Sequence, residues 1–345
     1  MILVTGGAGY VGSVLVPELL ARGRQVTVLD SFLFGRRSLD AVAHHPGLRL
    51  VDADLRDGSA VREVLRGGFD AVIHLGAISN DPSSELDPEL TRAVNRDALA
   101  VLFEQAKAAG VRRLLYASSA SVYGIKEERE VTEDLPLAPL TLYARYKAEG
   151  EEVLNALADD RFCGVSVRAA TVCGFSPRLR LDLTVNILTE HALTRGEIRV
   201  FGGDQERPNV HVRDLADFYV RLLEAPAELV NGQAFNVIRE NSTVMDLARL
   251  VRGEIDPELP IRTVPTDDRR SYRLSGEKVA RLLGYRPALP LSAAVRELAA
   301  AFADGRVADP ADPIYRNVEW LKRTGRRPAA RQEEIQTGQD GADAQ

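Results

Sequence analysis

Residues 2–23 read ILVTGGAGYVGSVLVPELLARG. A short β-branched run, Ile2 to Thr5, gives way to glycines at 6, 9 and 12, and an apolar pattern of helical period follows. Glycine at a strand end and a helix mouth has a physical use. Without Cβ the chain can turn tightly, its N–H groups can approach a pyrophosphate, and the helix can pack closely on the strand. The stretch fits G-x-x-G-x-x-G and, counted from Gly7, G-x-G-x-x-G, so Gly6, Gly9, Tyr10, Val11 and Gly12 are candidate dinucleotide-binding residues.

Outward from this turn, "QVTVLD", "LRLVDAD", "DAVIHLG", "RRLLYASS" and "GVSVRAA" read as further strands. Amphipathic helices are predicted near residues 10–22, 57–66, 87–109 and 141–159, and each crossover is long enough for a βαβ unit. The alternation predicts an α/β fold, a Rossmann-type doubly wound parallel sheet with helices on both faces. After Thr171 the rhythm changes, which predicts a smaller C-terminal α/β substrate lobe whose chain returns once to the first domain. The expected division is 1–171 plus about 206–239 for the dinucleotide domain, and about 172–205 and 240–325 for the second lobe. Residues 326–345 are polar and aperiodic, the composition of a disordered tail.

The 345 residues carry a net charge of −6 with both signs interspersed, a pattern without the basic face that nucleic acid or a membrane surface requires. No apolar run approaches the roughly 20 residues of a membrane span, and no charged leader precedes the first strand, so a cytoplasmic protein is expected. Cys163 and Cys173 flank a strand-like run whose rise of about 3.3 Å per residue holds them too far apart for a disulfide. The five histidines stand at no metal-ligand spacing, and no metal is expected.

Asp30 closes the second strand about 20 residues beyond the turn, where a carboxylate accepts both ribose hydroxyls and repels a 2′-phosphate. NAD is therefore the expected cofactor, although Arg36 and Arg37 nearby leave NADP open. Asp54 and Leu55 after the third strand could meet the adenine, or Asp54 could cap the helix starting near Ser59. Leu75, Gly76 and Ala77 end the fourth strand where a backbone must pass close to the dinucleotide, and His74 before them reads as a buried strand residue.

In "LYARYKAEG" Tyr143 and Lys147 stand four apart on a predicted helix and so share a face. An ammonium beside a phenol stabilises the phenolate and lowers its pKa, making a base usable near neutrality. "TGGAGYVG", "SSASVYG", "YARYK" and "RPNVHVRDLAD", in this order, resemble the extended short-chain dehydrogenase/reductases, the branch of NAD-dependent nucleotide-sugar epimerases and dehydratases, over roughly residues 1–325. The resemblance implies NAD, a nucleoside diphosphate sugar as substrate and a homodimer built through the helices near 87–109 and 141–159. It implies Tyr143 as base, Lys147 holding the nicotinamide ribose, and Ser119, three residues before Val122, hydrogen-bonding the sugar oxygen.

In 4,6-dehydratases of the branch the next two positions usually carry acids, whereas here they are Ala120 and Ser121. Losing that general acid forfeits a typical 10²- to 10⁴-fold in rate, which favours epimerisation at carbon 4 over elimination of water. A dehydratase or a ketoreductase is the alternative, and a non-catalytic dinucleotide sensor is a remote one. A 3,5-epimerase would need an acid and a base across the ring, for which Ser121 and Cys173 are candidates, although a small strand-end residue and a buried thiol are the simpler readings. Arg207 matches the family's diphosphate arginine and Arg270 stands where a second is common, with Arg178 and Arg180 as alternatives. Thr171 replaces a long amide of many relatives, and Asn80, beside Asp81, either reads the sugar or caps a helix. The candidate substrate-binding set is therefore Asn80, Ser121, Thr171, Arg207 and Arg270.

Overall fold

The computed structural model describes residues 1–266 and 271–324, so Arg270 and the C-terminal tail lie outside the described residues. The first six strands are β1 (Ile2–Thr5), β2 (Val26–Asp30), β3 (Leu48–Asp52), β4 (Ala71–His74), β5 (Arg113–Ser119) and β6 (Cys163–Ala169). The chain then forms β7 (Thr171–Cys173), β8 (Ile198–Phe201) and β9 (Glu206–His211) before β10 (Gln233–Val237) returns beside β6. Last come β11 (Glu240–Thr243) and β12 (Ile261–Val264). The main sheet has the order β10–β6–β5–β4–β1–β2–β3, and every pair in it is parallel.

The crossovers are α1 (Gly12–Ala21), α2 (Gly58–Leu65), the short α3 (Asp81–Leu86), α4 (Pro88–Arg92) running into α5 (Leu99–Ala108), and α6 (Leu142–Leu157). Side chains alternate across a strand, and the sheet uses both faces. Ile2 and Val4 of β1 pack with Leu15, Val16 and Leu19 of α1, whereas Leu3 points the other way into Val61 and Val64 of α2 and Leu102 and Phe103 of α5. This is the doubly wound sheet expected. The helix predicted near 87–109 is not uniform, because Ala93–Ala98 forms a π turn between α4 and α5. The turn aims Asn95 at the loop after β4, where its amide accepts from the Ile78 N–H and donates to the Ile78 carbonyl, both at 2.8 Å.

Beyond β7 the chain adds α7 (Thr184–Arg195), α8 (Val212–Glu224), α9 (Ala227–Val230), α10 (Val244–Ile255), α11 (Glu277–Leu283), α12 (Leu291–Ala303) and α13 (Asn317–Thr324). Of the returning segment, α8 packs on α1 and β10 extends the main sheet, while β9 joins β7 and β11 in a separate three-stranded sheet. A second core gathers Val185 and Leu188 of α7, Val200 of β8, Leu247 of α10 and Val295 of α12. No described helix is long and apolar enough to cross a membrane. Cys163 and Cys173 are buried free thiols.

Candidate active site

In a doubly wound sheet, ligands bind beyond the carboxyl ends of the strands where the strand order reverses, here between β1 and β4. A cavity of about 1120 Å³ opens there. It is lined by Gly6, Gly9, Tyr10, Val11 and Gly12 of the turn, and by Asp30, Asp54, Leu55, Leu75, Gly76 and Ala77 at the following strand ends. Asn80, Ser119, Ser121, Tyr143, Lys147, Thr171 and Arg207 complete the wall. Of the described candidates, all of the cofactor-binding, catalytic and substrate-binding sets thus meet in one place, from segments as far apart in sequence as 6 and 207, and Cys173 stays outside it.

The turn is built for close approach. Gly6 has φ +70°, and a Cβ there would fall 2.6 Å from the Gly76 Cα; at Gly12 it would fall 2.5 Å from the Gly7 carbonyl oxygen. No side chain caps α1 and its first turn holds no acid, so the helix mouth can receive an anion. Asp30 accepts from the Ala8 N–H at 3.0 Å and the Phe32 N–H at 2.8 Å. Burial raises its pKa against those two bonds, and the remaining lone pairs of its carboxylate suit ribose hydroxyls. Arg36 stacks over Phe32 and pairs with Asp52 at 2.6 Å. These residues fit a dinucleotide with an unphosphorylated ribose.

Asp54 does not cap the next helix. Asp57 does, accepting from Ser59 and Ala60 at 3.0 Å, while Asp54 pairs with Arg56 at 2.5 Å. Asn80 combines two features, with its Oδ1 capping α3 through the Ser83 N–H at 2.9 Å while the residue lines the cavity at φ 72°. His74 is buried and shares a 2.7 Å hydrogen bond with the Thr5 hydroxyl; burial lowers its pKa to about 3 and keeps the ring neutral. Cys173 is fully buried, does not line the cavity, and has its pKa raised by burial.

At the chemical end, Thr141 caps α6 by accepting from the Ala144 N–H at 3.1 Å, fixing the helix that carries Tyr143, Lys147 and Glu151 on one face. The Lys147 ammonium donates to the Ala117 carbonyl at 2.6 Å and lies 5.7 Å from the Tyr143 ring centroid. Ser119 Oγ accepts from Ser121 Oγ at 3.0 Å and from the Ser121 N–H at 3.2 Å. The acidified phenol expected from the Tyr143 and Lys147 spacing is not what the structure shows. Burial pushes Tyr143 up to about 12, with Asp81 adding to the rise and Arg180 and a hydrogen bond with Ser119 opposing it. Burial also pulls Lys147 down to about 7, only partly offset by Glu151. Desolvation is the largest cause for both groups.

Arg178 and Arg180, the alternative diphosphate arginines, reach the cavity from the loop after β7. Asn317, Val318 and Leu321 reach it from α13 and have no local signature in the sequence. The α13 contact spans 238 positions, from the Asn317 amide to the Ser79 hydroxyl at 3.0 Å, which no periodicity records. Arg168, three residues before Thr171, is buried and paired with Glu151 at 2.6 Å.

The model of the NAD dependent epimerase/dehydratase family matches residues 2–237. The UDP-glucose 4-epimerase of Streptomyces lividans is 33% identical over 279 residues, covering 74% of this chain and 82% of that protein. Among solved structures, the Thermus thermophilus UDP-glucose 4-epimerase complexed with NAD is 28% identical with a TM-score of 0.76, covering 88% of this chain and 98% of that one. A dTDP-glucose 4,6-dehydratase (DesIV) from Streptomyces venezuelae, with NAD and TYD bound, is 27% identical with a TM-score of 0.79, covering 91% and 99%.

Proposed function

The chain belongs to the NAD dependent epimerase/dehydratase family, and from that premise we propose that it is a nucleotide-sugar epimerase inverting carbon 4 through a transient 4-keto sugar. The observation that carries the reading is the end of β5, where the hydroxyls of Ser119 and Ser121 flank Ala120 beside Tyr143 and supply no acid of their own. Oxidation and reduction at one carbon need a proton acceptor on the sugar oxygen and no leaving-group acid. Bound NAD supplies the hydride acceptor and then the donor.

Tyr143 takes the proton from the carbon-4 hydroxyl as its phenolate, for which the positive charge of bound nicotinamide would offset the burial that raises its pKa, and later returns it; Ser119 hydrogen-bonds the same oxygen. Lys147, fixed on the Ala117 carbonyl, presents its remaining N–H groups to the nicotinamide ribose. Arg207, at the cavity wall on β9, faces the sugar diphosphate with the bidentate geometry guanidinium offers. The keto sugar turns over between the two hydride transfers, so atoms and electrons balance within one turnover.

One observation favours a second reading. Asp81 lies in the wall, where its charge contributes to the raised Tyr143 pKa and its Oδ1 accepts from the Thr141 hydroxyl at 2.6 Å. As an acid brought from another loop it could serve a 4,6-dehydratase. Incubation with a panel of nucleotide sugars in deuterated water, followed by NMR, separates the two. Inversion at carbon 4 without deuterium uptake is expected, whereas deuterium at carbon 3 or 5 would sink the epimerase reading.

A further inference from the structure

The loop after β7 carries a charge that the roles assigned to the other wall residues leave unused. Arg178 is 6% exposed, lines the cavity, and lays its guanidinium 3.8 Å from the centroid of the Phe34 ring. Its backbone N–H donates to Ser13 Oγ at 3.3 Å, and the Ser176 hydroxyl beside it donates to the Tyr10 carbonyl at 2.7 Å. These bonds tie the loop to the glycine turn and to the first turn of α1.

The guanidinium spends two of its five N–H donors on protein, one on Asn317 Oδ1 at 2.5 Å and one on the Leu179 carbonyl at 3.4 Å. No carboxylate among the described residues forms an ion pair with it, because Asp182 is taken bidentately by Arg180 at 2.8 and 3.0 Å and Asp30 by backbone amides. Burial and the neighbouring Arg180 pull its pKa down to about 9, against the more distant charges of Asp182 and Asp30. In the same cavity wall, the mouth of α1 has neither side-chain cap nor acid. Asn317, which fixes the guanidinium, is itself held by its N–H on Asp182 Oδ2 at 3.2 Å and by its amide on Ser79.

We propose that Arg178 is a dinucleotide-binding residue supplied by the second lobe, pairing with the pyrophosphate of NAD at the α1 mouth. The pyrophosphate then lies between a helix N-terminus and a guanidinium that enters from a segment remote in sequence. The proposal rests on the NAD reading of the glycine turn.

The test is calorimetric titration of the full chain, freed of bound dinucleotide, with ADP-ribose and separately with adenosine and with NADP. Arg178→Leu is expected to weaken ADP-ribose binding by roughly 10- to 100-fold, the range for a hydrogen-bonded charge, and to leave adenosine within about twofold. Arg178→Lys is expected to recover part of the loss and keeps the test valid should the leucine variant fold poorly. An equal loss for adenosine would assign Arg178 to the nucleoside, and a loss confined to NADP would assign it to a 2′-phosphate; either result, or unchanged ADP-ribose affinity, overturns the proposal. If the unaltered protein fails to bind ADP-ribose, the NAD reading falls first and takes this one with it.

Discussion

A phenol pushed up to about 12 and an ammonium pulled down to about 7 sit four residues apart on α6. Tyr143→Phe removes the proposed proton acceptor and little else, so turnover is expected to fall by at least 10²- to 10⁴-fold with NAD still bound, as read by assay and by absorbance of the purified protein. Loss of the cofactor instead would refute the role. For Lys147 the sign follows from protons bound. Between about pH 7 and 10.5 the unfolded chain holds the lysine proton and the folded one has released it, so the stability penalty of the buried ammonium is full below 7 and relieved as pH rises. Lys147→Met lacks that penalty at every pH. Its stability advantage over the parent is expected to shrink by about 2–3 kcal/mol from pH 6 to pH 9, measured by urea midpoints at both. The residues legible in the sequence were those whose meaning lies in local spacing: Gly6 to Gly12 after a strand, Tyr143 four before Lys147, Ser119 three before Val122. Local spacing could not show the desolvation that reverses the acidity of Tyr143, nor give Asn317 its place in the cavity, since both come from the fold.

At the scale of elements, α6 is anchored from behind the site. Glu151, one turn beyond Lys147, takes Arg168 of β6 through Nε at 3.0 Å and Nη2 at 2.6 Å, and accepts from the Ser118 hydroxyl of β5. Both side chains of the pair are under 8% exposed, and Arg168 also donates to the Tyr123 hydroxyl at 2.7 Å. Removing one partner strands a buried charge, so Glu151→Leu is expected to cost about 3–5 kcal/mol, and Glu151→Leu with Arg168→Met to recover more than half of it, by urea denaturation. Equal losses for the single and double variants would show that the pair contributes packing alone. Strands β1 to β6 and their crossovers were legible because alternation and helical period are strong over such lengths. The π turn at Ala93–Ala98 was not, since Asn95 is turned by the backbone of Ile78, which the helix pattern does not contain. Nor was the small sheet of β7, β9 and β11, whose strands of three, six and four residues find partners across long connections.

At the scale of the whole molecule, the helices proposed for dimerisation are α4 with α5 and α6, which pack side by side on one face of the sheet. A homodimer joined by a four-helix bundle is expected, and sedimentation equilibrium should give twice the monomer mass; a monomer at micromolar concentration would remove that assembly. The interleaved chain has a further consequence, in time rather than space. Strand β10 hydrogen-bonds along the outer edge of β6, pairing Gln233 with Val165 and Val237 with Ala169, yet it follows β6 by more than sixty positions. At a synthesis rate of ~5–20 residues per second, that edge leaves the ribosome roughly 3–14 s before its partner. During that interval Val165 and Val167 border an open row of backbone donors and acceptors, the kind of edge that recruits strands from other chains. The nascent protein thus carries an open sheet edge while residues 170–232 are being made, and slowing translation there is the change that would lengthen the hazard.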